Sequence, residues 1–120
     1  MPRNMSFMLT TEQVRNRTKT VTRRMAWWKL PVGQILNACK KCMGLKKGEK
    51  VEKLGQIRSV DVRVEPLNEI DSDDLAREGF PDWTTCQFIR FFLDSHKPHY
   101  PKFLNWGCFS PVNCIEFEYL

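Results

Sequence analysis

The sequence lacks several features that mark particular classes of protein. No apolar run approaches the roughly 20 residues that a membrane-spanning helix needs. The first residues, Met-Pro-Arg-Asn, lead into a short Met/Phe patch and not into the apolar core of a signal peptide. There are no internal repeats, low-complexity tracts or linkers, and 120 residues are the length of one domain. We therefore expect a single domain over 1–120, located in the cytoplasm.

Acidic residues are scarce in the first half of the chain. Residues 1–60 hold 14 Lys and Arg but only 3 Asp and Glu, whereas residues 61–120 hold 5 and 11. The net charge of +5 therefore hides a balance of +11 in one half and −6 in the other. A basic half of this strength suits a polyanion such as nucleic acid, and the acidic half can pack beside it and neutralise part of its charge.

The cysteines do not form a disulfide framework. The chain has five cysteines, which is an odd number, and their spacing is uneven. Because there is no secretion signal, we expect them to be free thiols. Cys39 and Cys42 have the CxxC spacing, and His96 and His99 form a second pair about 54 residues later that would complete a tetrahedral zinc site. Zinc fingers close over far shorter spacings, and the histidines lie in a proline-broken loop. We expect neither a metal nor a cofactor.

The pattern of apolar residues predicts an α+β fold. Strands are predicted over 5–9, 34–38, 54–64 and 112–120, and helices over 11–16, 71–77 and 85–95. Thr10 with Gln13, and Thr84 with Gln87, have the form of capping boxes at helix starts. The spacing of β-branched residues breaks near Ser59, which suggests a bulge. Because no βαβ rhythm is present, we expect a mostly antiparallel, barrel-like sheet flanked by short helices.

The stretch Arg15–Arg24 is the most informative part of the chain. It holds five basic side chains and three threonines and contains no acid. Cations with hydroxyls can fix a phosphate or a polarised carbonyl oxygen, and a hydroxyl beside an amine can be activated as a nucleophile. The alternative is a basic turn that is only solvated.

The side chains of Lys19 and Thr22 converge if the chain bends between them, and they can then act together in a reaction. Neighbouring arginines and burial beneath the tryptophans are expected to lower the pKa of Lys19, so that its neutral amine can take the proton of Thr22. Glu78 is followed by an apolar turn, Gly79–Pro81, and is a candidate general acid or base. By itself it would be an ordinary surface acid.

Two further groups are candidates for contact with nucleic acid. Trp27, Trp28 and Trp83 can stack on bases, although tryptophans in a small domain are more often part of the core. The basic loop 44–50 can contact phosphates, although it lacks the pattern of a P-loop. The residues that we expect to contact substrate or nucleic acid are Arg17, Thr20, Arg24, Trp27, Trp28, Lys46 and Lys47.

The stretch Arg17–Arg24, Arg-Thr-Lys-Thr-Val-Thr-Arg-Arg, resembles the signature near the N-terminus of ASCH domains, which are relatives of the PUA RNA-binding domains. Residues 44–50, 63–67, 77–81 and the closing Ile-Glu-Phe at 115–117 resemble a branch of small stand-alone proteins common in phages and bacteria. A glycine commonly precedes the signature, where this chain has Asn16-Arg17. The resemblance spans nearly the whole chain and implies a PUA-like β-barrel with flanking helices and a cleft over the barrel mouth.

The resemblance also implies a function. Family members bind RNA or nucleosides, and one bacterial branch hydrolyses the amide of N4-acetylcytidine. Its catalytic lysine, threonine and glutamate match Lys19, Thr22 and Glu78, and an arginine matches Arg24. The first hypothesis is therefore an amidohydrolase, acting in the host cytoplasm if phage-encoded. The alternative is a non-catalytic RNA-binding module, or a ribonuclease, that uses the same basic cleft. A third hypothesis, a phage-encoded inhibitor of a host protein, has no specific feature in the sequence.

Overall fold

The computed structural model describes residues 2–42 and 45–120, so Gly44 of the predicted basic loop lies outside them. The strands are β1 (Arg3–Ser6), β2 (Val21–Arg24), β3 (Ile35–Cys39), β4 (Lys53–Pro66) and β5 (Pro111–Tyr119). The helices are α1 (Thr11–Arg15), α2 (Ser72–Glu78) and α3 (Thr85–His96), with short 3-10 turns at Met8–Thr10, Leu67–Glu69 and Gly107–Phe109. No helix in the described part is long and apolar enough to cross a membrane.

The five strands form one curled sheet in the order β1-β3-β4-β5-β2. The β1–β3 pair is parallel, and the other three pairs are antiparallel. β1 and β2 lie at the two edges, and the guanidinium of Arg24 in β2 donates to the backbone oxygen of Ser6 in β1. The predicted α+β class with a mostly antiparallel, barrel-like sheet is confirmed.

Two apolar clusters hold the sheet and helices together. One lies between the sheet and α1 and includes Met5, Phe7, Val14, Leu36, Ile57, Ile115 and Phe117. The other joins the opposite part of the sheet to α2 and α3 and includes Leu67, Leu75, Phe88, Phe92, Leu104 and Val112. Each fully buried side chain of this kind contributes about 1.5–3 kcal/mol, whereas an exposed ion pair contributes about 0–1 kcal/mol. The clusters therefore dominate the stability of the fold.

The bulge expected near Ser59 is present, since the register between β4 and β5 shifts between Ser59 and Asp61. The first strand is shorter and earlier than predicted. Phe7 donates its N–H to the backbone oxygen of Cys39, and the chain then turns into the 3-10 segment at Met8–Thr10. The prediction of a strand over 5–9 was wrong in its second half, because Met8 and Leu9 leave the sheet and are exposed.

The two predicted capping boxes have different outcomes. Thr84 and Gln87 form the reciprocal bonds of a capping box at the start of α3. Thr10 makes no side-chain cap bond, so that prediction was wrong. The chain reaches α1 directly from a 3-10 turn, and the hydroxyl of Thr11 donates to the backbone oxygen of Phe7, 2.9 Å away.

Candidate active site

A cavity of about 210 Å³ lies where β2, α2 and α3 meet the segment after β1. Its polar lining is made by Lys19, Thr22, Arg23, Arg24 and Glu78, and its aromatic wall by Phe80, Phe88, Phe91 and Phe92. The three predicted catalytic residues thus line the same cavity, although 59 residues of sequence separate Lys19 from Glu78. An aromatic wall beside a few convergent polar groups is typical of a small-molecule site.

The segment between α1 and β2 is held on both sides by backbone hydrogen bonds. Thr20 donates its N–H to the oxygen of Arg77 at 2.7 Å, and its own oxygen accepts from Phe117 at 2.8 Å. Arg17 adopts a positive φ of 58°, in the region that favours glycine. This turn ends α1 and brings Lys19 between the end of α2 and β5.

Lys19 and Glu78 form a buried ion pair. Nζ of Lys19 lies 2.6 Å from Oε1 of Glu78 and also donates to the backbone oxygen of Glu78 at 3.0 Å. The two residues are only 3% and 1% exposed. Gly79 adopts a φ of 95° and ends α2 there, and a side chain on Gly79 would collide with Gln13 in α1. The end of α2 is therefore fixed against α1, and with it the position of Glu78.

Burial lowers the pKa of Lys19, and the Glu78 carboxylate only partly offsets this. The positive charges of Arg24 and Arg23 lower it further. The direction agrees with the sequence prediction, but the burial does not come from tryptophans. Within the described residues, the cavity wall around Lys19 is built from phenylalanines.

Thr22 lies on β2 opposite Ile115 and is 3% exposed. Its hydroxyl oxygen accepts a hydrogen bond from Nε of Arg24 at 3.2 Å. Arg24 also lies over the ring of Phe7 at 4.6 Å, and burial lowers its pKa to about 10. The hydrogen bonds of the described residues include none between Lys19 and Thr22, and the two that the Lys19 ammonium makes both go to Glu78.

Sequence reasoning missed the role of Arg23, whose side chain is fully buried. It contacts Glu78 at 3.2 Å, Asp74 at 3.1 Å and Glu65 at 2.7 Å. Burial opposes its charge, yet these carboxylates raise its pKa above the ordinary value. Cys114 adds to them only at high pH, since burial raises the pKa of that thiol to about 11. The carboxylates lie 42 to 55 residues away, so no local pattern indicates this cluster.

His96, at the end of α3, is a second residue that sequence reasoning did not place in the site. Its ring stacks on Phe92 with centroids 4.0 Å apart, and it lines the cavity. Burial lowers the pKa of His96, and the positive charge of Arg24 acts in the same direction. The prediction that His96 lies in a proline-broken loop was wrong, because α3 extends to this residue and its ring lines the cavity.

The other predicted contact residues lie outside this cavity. Arg17 is exposed and lies over the ring of Tyr119 at 5.5 Å, and Thr20 is half-buried in the backbone bonds described above. Trp27 is half-buried beneath the guanidinium of Arg3, while Trp28 is 37% exposed. The remaining two, Lys46 and Lys47, are exposed. Their proposed contacts with a ligand stay predictions.

The cysteines and histidines show no metal site. All five cysteines are free thiols, and burial raises the pKa of Cys39 to about 11. Among residues 2–42 and 45–120, no group of three or more His, Cys, Asp and Glu is placed to hold a metal ion. The alternative of a zinc site built from the Cys and His pairs gains no support from this geometry.

The sequence matches no protein-family model and no curated protein. Several solved structures match over almost the whole chain. The protein EF3133 from Enterococcus faecalis V583, of family-model DUF984, has a TM-score of 0.70 at 21% identity, over 100% of this chain and 80% of that chain. An ASCH domain from Lactobacillus crispatus JV V101 has a TM-score of 0.64 at 12% identity, over 98% of this chain and 78% of that chain.

The chain has the ASCH-domain fold. A hypothetical protein, PH0355, shares the architecture with a TM-score of 0.66 at 12% identity, over 100% of both chains. The resemblance in the sequence is thereby confirmed for the fold. Within this ASCH-like fold, the stretch that resembles the family signature supplies β2 and one wall of the cavity.

Proposed function

We propose that this chain is an amidohydrolase that removes an acyl group from N4-acetylcytidine or a similar modified base. The observation that carries the proposal is the meeting of Lys19, Thr22 and Glu78 in one cavity, with Lys19 and Glu78 2.6 Å apart. The ASCH-like fold supports a nucleoside or RNA as the partner, and so does the basic first half of the chain. The phenylalanine wall offers a flat apolar surface to a planar base.

Transfer of one proton from Lys19 to Glu78 supplies both a base and an acid. Moving that proton across the 2.6 Å between Nζ and Oε1 turns the ion pair into a neutral amine and a neutral carboxylic acid. Burial disfavours the charged form of Lys19 because the ammonium loses its hydration in the cavity. The lowered pKa of Lys19 has the same cause.

In the acylation step, the neutral amine of Lys19 takes the proton of the Thr22 hydroxyl as that oxygen attacks the acyl carbon. Arg24, whose Nε lies 3.2 Å from this hydroxyl, stabilises the negative charge that develops on the acyl oxygen. When the C–N bond breaks, Glu78 gives its proton to the departing amine. Cytidine leaves, an ester remains on Thr22, and Lys19 and Glu78 are again an ion pair.

In the deacylation step, water attacks the ester carbon and gives a proton to the Glu78 carboxylate. The Lys19 ammonium returns its proton to the oxygen of Thr22 as the C–O bond breaks. The acyl group leaves as a carboxylic acid, and the neutral amine and carboxylic acid are restored. The cycle consumes one water and needs no metal or cofactor.

The test is release of cytidine from N4-acetylcytidine by the purified protein. Thr22→Val keeps the shape of the side chain but removes the hydroxyl, so we expect no turnover above background, whereas Thr22→Ser retains part of the activity. Lys19→Ala loses about 10²–10⁴-fold through loss of the general base. Lys50→Ala changes an exposed lysine and leaves the rate unchanged. No cytidine from the unaltered protein, or equal rates for Thr22→Val, would contradict the proposal.

One observation favours the alternative, a non-catalytic RNA-binding module. The Thr22 hydroxyl accepts from Arg24, and Lys19 is bound to Glu78, so the described structure shows no hydrogen bond between the proposed nucleophile and base. A binding module would use the same cations to hold a base and phosphates. It predicts RNA affinity that falls steeply with added salt and no cytidine release. Cleavage of the RNA in the same incubation would indicate the ribonuclease.

A further inference from the structure

A second cavity of about 370 Å³ adjoins the candidate active site. The two cavities share three lining residues, namely Leu9, Arg24 and His96. The Arg24 side chain therefore borders both spaces, with the Thr22 hydroxyl on the side of the first. The proposed function leaves this second cavity unused.

One lining residue of the second cavity belongs to a run of aromatic side chains. Tyr100 lines the cavity, its ring lies 6.3 Å from that of Phe103, and Phe103 in turn lies 6.4 Å from Trp28. We call these three residues the aromatic track. Phe103 is 58% exposed and Trp28 is 37% exposed, so the outer end of the track offers ring faces to solvent. Large exposed aromatic surface is costly unless something binds to it.

The segments that build the track carry positive charge and contain no acidic residue. Residues 13–48 and 95–115 contain no Asp or Glu, and these segments supply the track and nearly all of the second cavity. Lys29 and Lys102, each adjacent in sequence to a track residue, are exposed. His99 also lines the cavity. Exposed aromatic faces interleaved with cations are the pattern that binds single-stranded nucleic acid through stacking and phosphate contacts.

We propose that the second cavity and the aromatic track bind the nucleotides that flank the target base, so that the substrate is a modified base within single-stranded RNA. This inference rests on the proposed function for the identity of the first site. Arg24 borders both cavities, where it can contact the phosphate that joins the target nucleotide to its neighbour. The neighbouring base occupies the second cavity, and the following base stacks on Phe103 or Trp28.

The test is direct binding of unmodified ligands, which does not depend on turnover. We expect a cytidine trinucleotide to bind at least about 10-fold more tightly than cytidine, since each stacked base contributes a factor of about 5 to 150. Phe103→Ala removes most of this gain, and Phe103→Tyr keeps it. Phe109→Ala is the matched control, because Phe109 is 65% exposed and has no ring contact with the track among the described residues.

Salt dependence gives a second measurement. Lys102→Ala and Lys29→Ala are each expected to reduce the slope of log affinity against log salt by about 0.7, the value for one phosphate contact on a single strand. Arg90→Ala, at an exposed position of α3 outside the track, leaves the slope unchanged. Equal affinity for cytidine and the trinucleotide, or equal effects of Phe103→Ala and Phe109→Ala, would overturn the inference. These ligands carry no acyl group, so the binding test is independent of the hydrolase test. A protein without hydrolase activity can still show the expected binding, and an active hydrolase can still lack it.

Discussion

Lys19 and Arg23 are two buried cations that share the carboxylate of Glu78, but their surroundings differ. Lys19 contacts one carboxylate, and burial lowers its pKa. Arg23 contacts three, and their combined charge raises its pKa in spite of burial. One cation is thus prepared to lose its proton, while the other stays charged.

The difference suits the two residues to separate tasks: Lys19 lies just before β2, and Arg23 lies on it. A lysine that can become neutral is suited to proton transfer, whereas an arginine remains charged under all ordinary conditions. Arg23 holds Glu78 through Oε2 and leaves Oε1 to Lys19. It also ties the same carboxylate to Asp74 at the start of α2 and Glu65 on β4. We infer that Arg23 orients Glu78 but does not itself react.

The largest expected effect comes from removing the cation that has three partners. Arg23→Met leaves Asp74 without its cation and removes one of the two cations that hold Glu78 and Glu65. It should lower the free energy of unfolding by about 3–5 kcal/mol, the cost of breaking a buried ion pair. Lys19→Met leaves Glu78 paired with Arg23, so the loss should be at most about 1.5–3 kcal/mol, the range for hydrogen bonds to charged groups. Urea denaturation measures both. Equal losses would remove the distinction between the two cations.

A smaller effect concerns pH. The pKa of Lys19 is lowered in the folded protein, so between that value and its ordinary 10.5 the unfolded chain binds more protons than the folded one. The contribution of Lys19 to stability therefore rises with pH across this window, by at most about 1.4 kcal/mol per pH unit. Unfolding of the unaltered protein and of Lys19→Met, compared at several pH values, should show a difference that increasingly favours the unaltered protein. A constant difference would indicate that the pKa of Lys19 is not lowered.

The smallest effect comes from relaxing the backbone without touching either cation. Ala26, exposed and just beyond β2, adopts a φ of 69°. This conformation costs residues other than glycine about 1–2 kcal/mol of strain, which glycine avoids. Glycine in turn costs about 0.5–1 kcal/mol, because the unfolded chain gains conformational entropy. Ala26→Gly should therefore stabilise by about 0.5 kcal/mol, measured by thermal unfolding, whereas Ala76→Gly, at an exposed position within α2, should destabilise. A gain that approaches the Arg23→Met effect in size would mean that backbone strain and ion pairing contribute comparably.

Local patterns in the sequence predicted much of the fold. The alternation around Ile115 and Phe117, the Thr84–Gln87 capping box and the break near Ser59 all correspond to structure, because each depends on neighbours within a few residues. The capping box at Thr10 failed because the preceding chain was already turning. The parallel pairing of β1 with β3 was not predicted, since nothing in two short strands encodes their relative direction.

The sequence predicted the candidate site less completely than the fold. Lys19, Thr22 and Glu78 were candidates from their residue chemistry and from the resemblance to ASCH domains. The structure places them in one cavity, while their catalytic roles stay predictions. Arg23 stood in the same basic stretch and was expected only to lower the pKa of Lys19 as a neighbouring cation. Its burial depends on carboxylates from β4 and α2, so it follows from tertiary structure and not from composition.

β2 carries Thr22, Arg23 and Arg24, and its strand neighbour in the sheet is β5. During synthesis, roughly 90 residues separate the two strands, which at about 5–20 residues per second takes roughly 5–20 s. Until Pro111–Tyr119 leaves the ribosome, β2 has no strand to pair with in the native sheet. The edge strand that carries Thr22 therefore cannot take its native place in the nascent chain before β5 has docked, and the candidate cavity is completed only then.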